Sequence, residues 1–415
     1  MGPGGAIVHA MERLDPRIPG ARPGTGGAPT APRATHDVVV VGCGIVGASC
    51  AWSLARNGLR VVVLEREAGP AMGSTGRSAA GVRVQFTAEA NIRLSMHSLP
   101  VYRSFRERYG VDVGYRDIGY LLLVPPDRWD AHMAAVDLQR SLGAPVEVLA
   151  PEEALRLVPF DPAGVAGATW GPWDGIIDPH LATQAWVAMG REEGAEYRFG
   201  AAVRHVRRAA GLWEAGGDGF LHRAPILVNA AGAWAGLLGR MADLHVPVVP
   251  KRVQIFLSGP IPDPRTFPLT IDTGLGVYLR SEGNRVLFGL DDESQPAGFS
   301  EGMDWSWMEK VLRTGVERFP WWEDLGVDRK GSWWGYYEVT PDRSPLIGFH
   351  PDAPGWIDAC GFSGHGVMHA PATGAAVSEL ATLGESRTVP VEAFRHGRFT
   401  DPAQAGSPTG EGNVF

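Results

Sequence analysis

The chain has 415 residues, long enough for two or three domains and far beyond the size at which disulfide or metal staples are required. A net charge of −8 argues against a phosphate-seeking surface and so against nucleic acid as a partner. Every apolar run is interrupted well short of the roughly 18 residues that a membrane span needs, and the three cysteines Cys43, Cys50 and Cys360 are too scattered for a disulfide framework or a metal site.

Residues 1–36 are rich in Gly and Pro without periodicity and read as a flexible leader, in which Met11 is an alternative start. The leader lacks the apolar core of a secretory signal, and Glu12 and Asp15 speak against a transit peptide, so the cytoplasm is the expected address. Order is predicted to begin at HDVVVVGCGIVGASCAWSLARNGLRVVVLERE. Four valines form a strand over 37–41, Gly42, Gly44 and Gly47 follow in G-x-G-x-x-G spacing, a helix runs over 45–57, and a second strand over 59–64 ends at Glu65. Gly42 is expected to turn the chain out of the strand. Gly44 lets the backbone approach a pyrophosphate, and Gly47 lets helix and strand pack closely. The helix N-terminus, with Ile45 and Val46 in its first turn, offers amides to the phosphates, and Glu65 can accept from a ribose 2′-hydroxyl. The unit predicts a dinucleotide, FAD or NAD rather than NADP. Cys43 reads as a small filler of the loop and Cys50 as core.

Further along, the predicted elements are helices over 88–108, 180–192, 303–318 and 371–383 and strands over 119–124, 202–207, 225–229 and 344–348. The loop GSTGRSAAGVR (73–83) is small and hydroxyl-rich, as a loop packed on a phosphate and a planar ring would be, although an ordinary surface turn has the same composition. GFSGHGVMHAP (361–371) sets bare glycines before a helix. Six tryptophans, Trp305, Trp307, Trp321, Trp322, Trp333 and Trp334, read chiefly as core, with an aromatic pocket wall as the other reading.

Five segments in order, GPAMGSTGRSAAGVRVQFTAEANIRLS (69–95), VNAAGAWAG (228–236), GVYLR (276–280), YYEVTPDRSPLIG (336–348) and ACGFSGHGVMHAPATGAAVSELATLG (359–384), resemble the D-amino-acid-oxidase-type FAD-dependent oxidoreductases. Within that group the sequence is similar to the sarcosine oxidase β-subunit, the dye-linked proline dehydrogenase β-subunit and FAD-dependent oxidoreductase-domain proteins. The resemblance spans residues 37–400. It implies an α/β (α+β) fold, with a Rossmann-like FAD-binding domain from 37–83, 181–245 and 336–400, a discontinuous mixed-sheet substrate domain from 84–180 and 246–335, and a flexible tail at 401–415.

The resemblance implies that the FAD cradle includes Arg66, Ser74, Thr75, Arg77, Ser78, Val203, Ala230, Ala231, Gly232 and Trp234, and at the C-terminal motif Gly361, Gly364, His365, Gly366, Val367 and Met368. Where relatives anchor the flavin covalently through cysteine or histidine, this chain has Gly335 and Arg77, so FAD is expected to be noncovalent. The implied activity is oxidation of the C–N bond of a secondary or N-methylated amino acid, with hydride passing to flavin N5, hydrolysis of the imine, and oxygen or an electron carrier as the final acceptor. Alternatives are oxidation of a 2-hydroxy acid, or a non-catalytic flavin-bearing partner subunit. Arg83 matches a carboxylate-binding arginine of sarcosine-oxidase-like relatives, and a salt bridge on the flavin loop is the other reading. His365 is either catalytic or structural. Tyr278, Arg280 and Tyr337 are polar candidates for the substrate cavity. Tyr337 stands near where other relatives carry a carboxylate-binding arginine, and Lys251 takes a position where a basic residue close to the flavin is common.

Overall fold

The computed structural model describes residues 34–262 and 265–399. The expectations for the leader and tail therefore lie outside the described residues, except at 34–36. There Thr35 and His36 already donate backbone bonds to the Arg223 carbonyl.

Val38–Val41 is fully buried and sits at the centre of a six-stranded sheet because both of its faces are covered, which is why it reads as an unbroken valine run rather than an alternating one. The sheet order is Leu346–Phe349, Trp356–Cys360, Ile226–Asn229, Val38–Val41, Val61–Leu64 and Glu196–Arg198. All neighbours are parallel except the edge strand Leu346–Phe349, which is antiparallel to Trp356–Cys360. The helices Ile45–Arg56, Pro179–Glu192 and Gly366–Leu383 contribute to the core on one face. On the other face lies a three-stranded meander over His205–Ala209, Leu212–Gly217 and Phe220–Ala224, with Trp213 against Trp356.

A second, eight-stranded sheet draws its strands from two segments, 120–171 and 249–339. Its one parallel contact, Tyr120–Val124 beside Leu269–Asp272, joins those segments. One face carries the core of Phe256, Phe288, Trp307, Phe319 and Trp322. None of the six tryptophans from Trp305 to Trp334 lines the cavity described below: Trp307 and Trp322 are buried in this core, Trp305 and Trp321 pack against it, and Trp333 and Trp334 lie outside it, half-buried beside Arg77.

Several boundaries differ from the sequence expectation for identifiable reasons. The predicted helix 88–108 is two helices, Glu89–Arg103 and Phe105–Tyr109, broken at Ser104, whose hydroxyl donates to the Pro100 carbonyl. The predicted strand 202–207 is His205–Ala209, because residues 201–203 leave the sheet to line a cavity. The C-terminal helix begins at Gly366 rather than 371. Pro371 lies inside it and cannot donate to the Val367 carbonyl, and the Tyr102 hydroxyl makes that bond instead at 2.7 Å. Helix Pro126–Ser141 was not expected. Its inward residues His132, Ala135, Val136 and Gln139 have helical spacing, but two of the four are polar, which hid the stripe.

The expected domain limits also cut through elements. Strand Trp333–Val339 crosses the limit at 335/336 and pairs with Val249–Leu257 along seven residues. Glu89–Arg103, allotted to the substrate part, packs against Gly366–Leu383 because its buried face of Ile92, Leu94 and Leu99 joins the core of the parallel sheet.

Three buried histidines are expected to make the fold acid-sensitive. His369 bonds Ser95 at 3.1 Å, His132 bonds Thr169 at 2.9 Å, and His396 lies 4.3 Å from the His350 ring. Burial holds them neutral, lowering His369 to about 3 and His132 and His396 to about 4. In the unfolded chain each takes a proton near pH 6.5. Each therefore contributes stability above that pH, and the contribution is lost as pH falls from about 6.5 through the folded value. The urea midpoint is expected to drop between pH 7 and pH 4.5, and His132→Gln to flatten part of that drop. An unchanged pH profile in His132→Gln would contradict the account.

Candidate functional site

The site is a cavity of about 380 Å³ that runs from the carboxyl end of Val38–Val41 to the inner face of the eight-stranded sheet. At the first end Gly42 has φ +104° and lies so close to Ala230 that a Cβ would stand 2.3 Å from the Ala230 carbonyl oxygen. Gly47 does not line the cavity. It packs on Gly42, where a Cβ would meet the Gly42 carbonyl, so its role is the helix–strand contact. Thr75 Oγ1 accepts from the Ile45 amide at 3.1 Å and ties the 73–83 loop to the head of the first helix.

Glu65 accepts from the Cys43 amide at 2.7 Å and the Glu67 amide at 2.9 Å, so the residue expected to meet a ribose also holds the glycine turn in place. The Arg66 guanidinium lies 3.6 Å over the Trp234 ring, and Trp234 stacks on Phe299 at 5.2 Å. Gly42, Gly44, Ile45, Val46, Glu65, Arg66, Ser74, Thr75, Arg77, Ser78, Val203, Ala230, Ala231, Gly232 and Trp234 all line this cavity.

At the far end Gly364, His365, Gly366, Val367 and Met368 line it too, and a first helical turn leaves its amides without intrahelical acceptors. Gly361 lies outside the lining. Its amide donates to Glu338 at 2.9 Å, and its φ of +75° turns the chain into the motif. Gly364, at φ +100°, packs on the Tyr337 ring, where a Cβ would come within 2.8 Å.

Arg83, Tyr278 and Tyr337 share the cavity with Tyr120 and an apolar wall of Val253, Ile255, Leu269 and Ile271. Arg83 is 3 % exposed, donates to the Gln85 carbonyl at 2.9 Å and lies 4.4 Å over the Phe86 ring. Asp174 fixes this segment by accepting from the Val84 amide at 2.8 Å and Gln85 Nε2 at 3.0 Å, and burial raises it to about 7. His365 Nε2 stands 3.5 Å from Arg83 Nη2. Burial and the Arg83 charge hold His365 well below its ordinary range, so it is neutral near pH 7. Burial pushes the Tyr120, Tyr278 and Tyr337 phenols up, so they are hydrogen-bonding groups rather than bases.

Two expectations are corrected by placement. Lys251 does not line the cavity, because Asp291 holds its ammonium at 3.1 Å. Arg280 likewise turns away and donates to the Ala79 carbonyl at 3.0 Å and to Glu282 at 2.5 Å. Sequence reasoning missed Tyr120, the apolar wall and Glu338. Glu338 had a visible signal, as the one carboxylate in the otherwise uncharged strand WWGYYEV.

A mostly parallel sheet whose first strand feeds a glycine turn, with an acidic residue at the end of its neighbour and a second helix head facing the same channel, defines a dinucleotide-binding fold. The chain belongs to the FAD dependent oxidoreductase family DAO, whose model matches residues 37–380. It is 30% identical to FAD-dependent oxidoreductase domain-containing protein 1 of Bos taurus, over 89% of this chain and 85% of that protein. It is 28% identical to the mitochondrial dimethylglycine dehydrogenase of Mus musculus, covering 88% of this chain but 44% of that longer protein. Among solved structures it is similar to L-proline dehydrogenase from P. horikoshii, with a TM-score of 0.82, 32% identity, and coverage of 88% of this chain and 98% of that one. The protein is thus an FAD-dependent enzyme. The residues present fit FAD: the bare turn at Gly42 and Gly44 leaves room for a diphosphate, and a second set of helix amides stands at the opposite end of the same channel. Among the described residues no helix is long and apolar enough to cross a membrane.

Proposed function

We propose that the enzyme oxidises the C–N bond of a secondary or N-methylated amino acid. The observation that carries this reading is Arg83, a buried guanidinium on the same cavity as the FAD cradle, beside three tyrosines and an apolar wall. Bound FAD supplies the two-electron acceptor. Arg83 binds the substrate carboxylate, for which a planar guanidinium offers paired donors. Tyr120, Tyr278 and Tyr337 offer hydroxyls, while Val253, Ile255, Leu269 and Ile271 exclude water and receive the carbon skeleton. His365, neutral beside Arg83, adds no second charge and leaves the guanidinium as the cation of this end. The similarity to dimethylglycine, sarcosine and proline dehydrogenases supports the same substrate class. Segments 84–180 and 246–335 would then be the part of the chain that covers the substrate.

Anaerobic addition of proline, sarcosine and dimethylglycine to the flavin-loaded protein tests the proposal. Bleaching of the flavin band by at least one of them is the expected result. Readmitting air then separates an oxygen-using oxidase from a dehydrogenase with another acceptor. Bleaching by a 2-hydroxy acid alone, or by none of these compounds, would overturn the reading.

A further inference from the structure

Glu338 sits between the two anion-facing ends of the cofactor channel. It lines the cavity from strand Trp333–Val339. On one side its carboxylate accepts from the Gly361 amide at 2.9 Å, in the turn that leads to the helix head at Gly366, and its own carbonyl accepts from the Ser363 amide. On the other side Oε2 lies 3.9 Å from where a Cβ of Gly232 would be, and the same segment, at Ala230, abuts Gly42 of the glycine turn. An FAD diphosphate carries two negative charges at any pH near neutrality. A charged Glu338 would add a further anion to that channel. No ion pair to Glu338 is present among the described residues.

Resting on the flavin assignment above, we propose that Glu338 is a proton-holding residue of the cofactor channel, and that FAD binds with the uptake of one proton onto its carboxyl group. Burial already raises Glu338 to about 7, and a bound anion would deepen that burial and oppose ionisation further.

The other titratable groups around it are held outside this range, Asp358 excepted, and Arg77, from the turn packed against this strand, has its guanidinium 5.0 Å over the Trp334 ring. Pro250 faces Glu338 across the strand pair, and the neighbouring Lys251 is held by Asp291. The 228–236 segment presents no titratable side chain. From the C-terminal turn come Cys360, pushed up by burial, and His365, held low, while Tyr337 on its own strand is pushed up. Asp358, behind the turn and raised to about 6, accepts from Asn229 and Trp356, so a slope arising from it would persist in Glu338→Gln.

The test is the dissociation constant of FAD from the apoprotein across pH 6–9, followed by quenching of flavin fluorescence. For the wild type the constant should be flat below pH 7 and rise about tenfold per pH unit above it. Glu338→Gln keeps an oxygen for the Gly361 amide and should remove that slope, binding FAD at pH 9 more tightly than the wild type. Calorimetry of the wild type at pH 8, in buffers of different ionisation enthalpy, should give uptake of close to one proton and so checks the proposal without a variant. A pH-flat wild type, or a slope that persists in Glu338→Gln, would overturn it. Failure to bind FAD at any pH would instead overturn the flavin assignment on which it rests.

Discussion

Replacing Arg83 with methionine is expected to lower kcat/KM for an amino acid about a thousandfold while leaving FAD content unchanged. A buried charge pair that loses one partner typically costs 2–5 kcal/mol, and a thousandfold corresponds to about 4. Methionine keeps much of the volume over Phe86 and so separates loss of charge from loss of packing. The informative comparison is between a substrate and its carboxamide. The wild type should strongly prefer the acid, and Arg83→Met should erase most of that preference. An equal loss for acid and amide would show that Arg83 acts through the cofactor loop and not on the substrate.

Gly42→Ala is expected to yield protein that purifies without flavin and unfolds at lower denaturant concentration. The new Cβ would stand 2.3 Å from the Ala230 carbonyl at a backbone φ of +104°, so the loop or the strand behind it must move. The positive φ alone costs about 1 kcal/mol or more, and the backbone clash adds to it. Gly58→Ala is the control, with φ +81° but nothing within 4 Å of its Cβ position. It should share the conformational cost and retain flavin. Equal flavin content in the two variants would refute the argument.

The cofactor half of the site was legible in the sequence because its signals are local. Gly42, Gly44, Gly47 and Glu65 belong to one strand–helix–strand unit whose spacing is set by turn geometry, and the later motifs could be recognised as they stand. The end of the cavity proposed to take the substrate was legible only in part. Arg83, Tyr278 and Tyr337 lie in recognisable segments, but Tyr120, Val253, Ile255, Leu269 and Ile271 reach the cavity through the register of a sheet built from two distant segments. As single residues in apolar strands they look like ordinary core. Lys251 shows the reverse error: its position in the chain suggested the flavin, whereas Asp291, forty residues away, decides where its ammonium goes. The C-terminal helix starts five residues before the expected 371, with Pro371 inside it, and the hydroxyl that compensates for that proline, on Tyr102, is more than two hundred and fifty residues upstream.

That tie between Tyr102 and Val367 bears on how the protein is made. The glycine turn at Gly42 emerges early from the ribosome, but the helix head that closes the other end of the channel arrives more than three hundred residues later, together with two strands of the same sheet. A nascent chain therefore carries an open half-cradle through most of its synthesis. Contacts to FAD from both ends of the channel are therefore expected only once the helix Gly366–Leu383 is complete, and bound cofactor should then stabilise the finished fold.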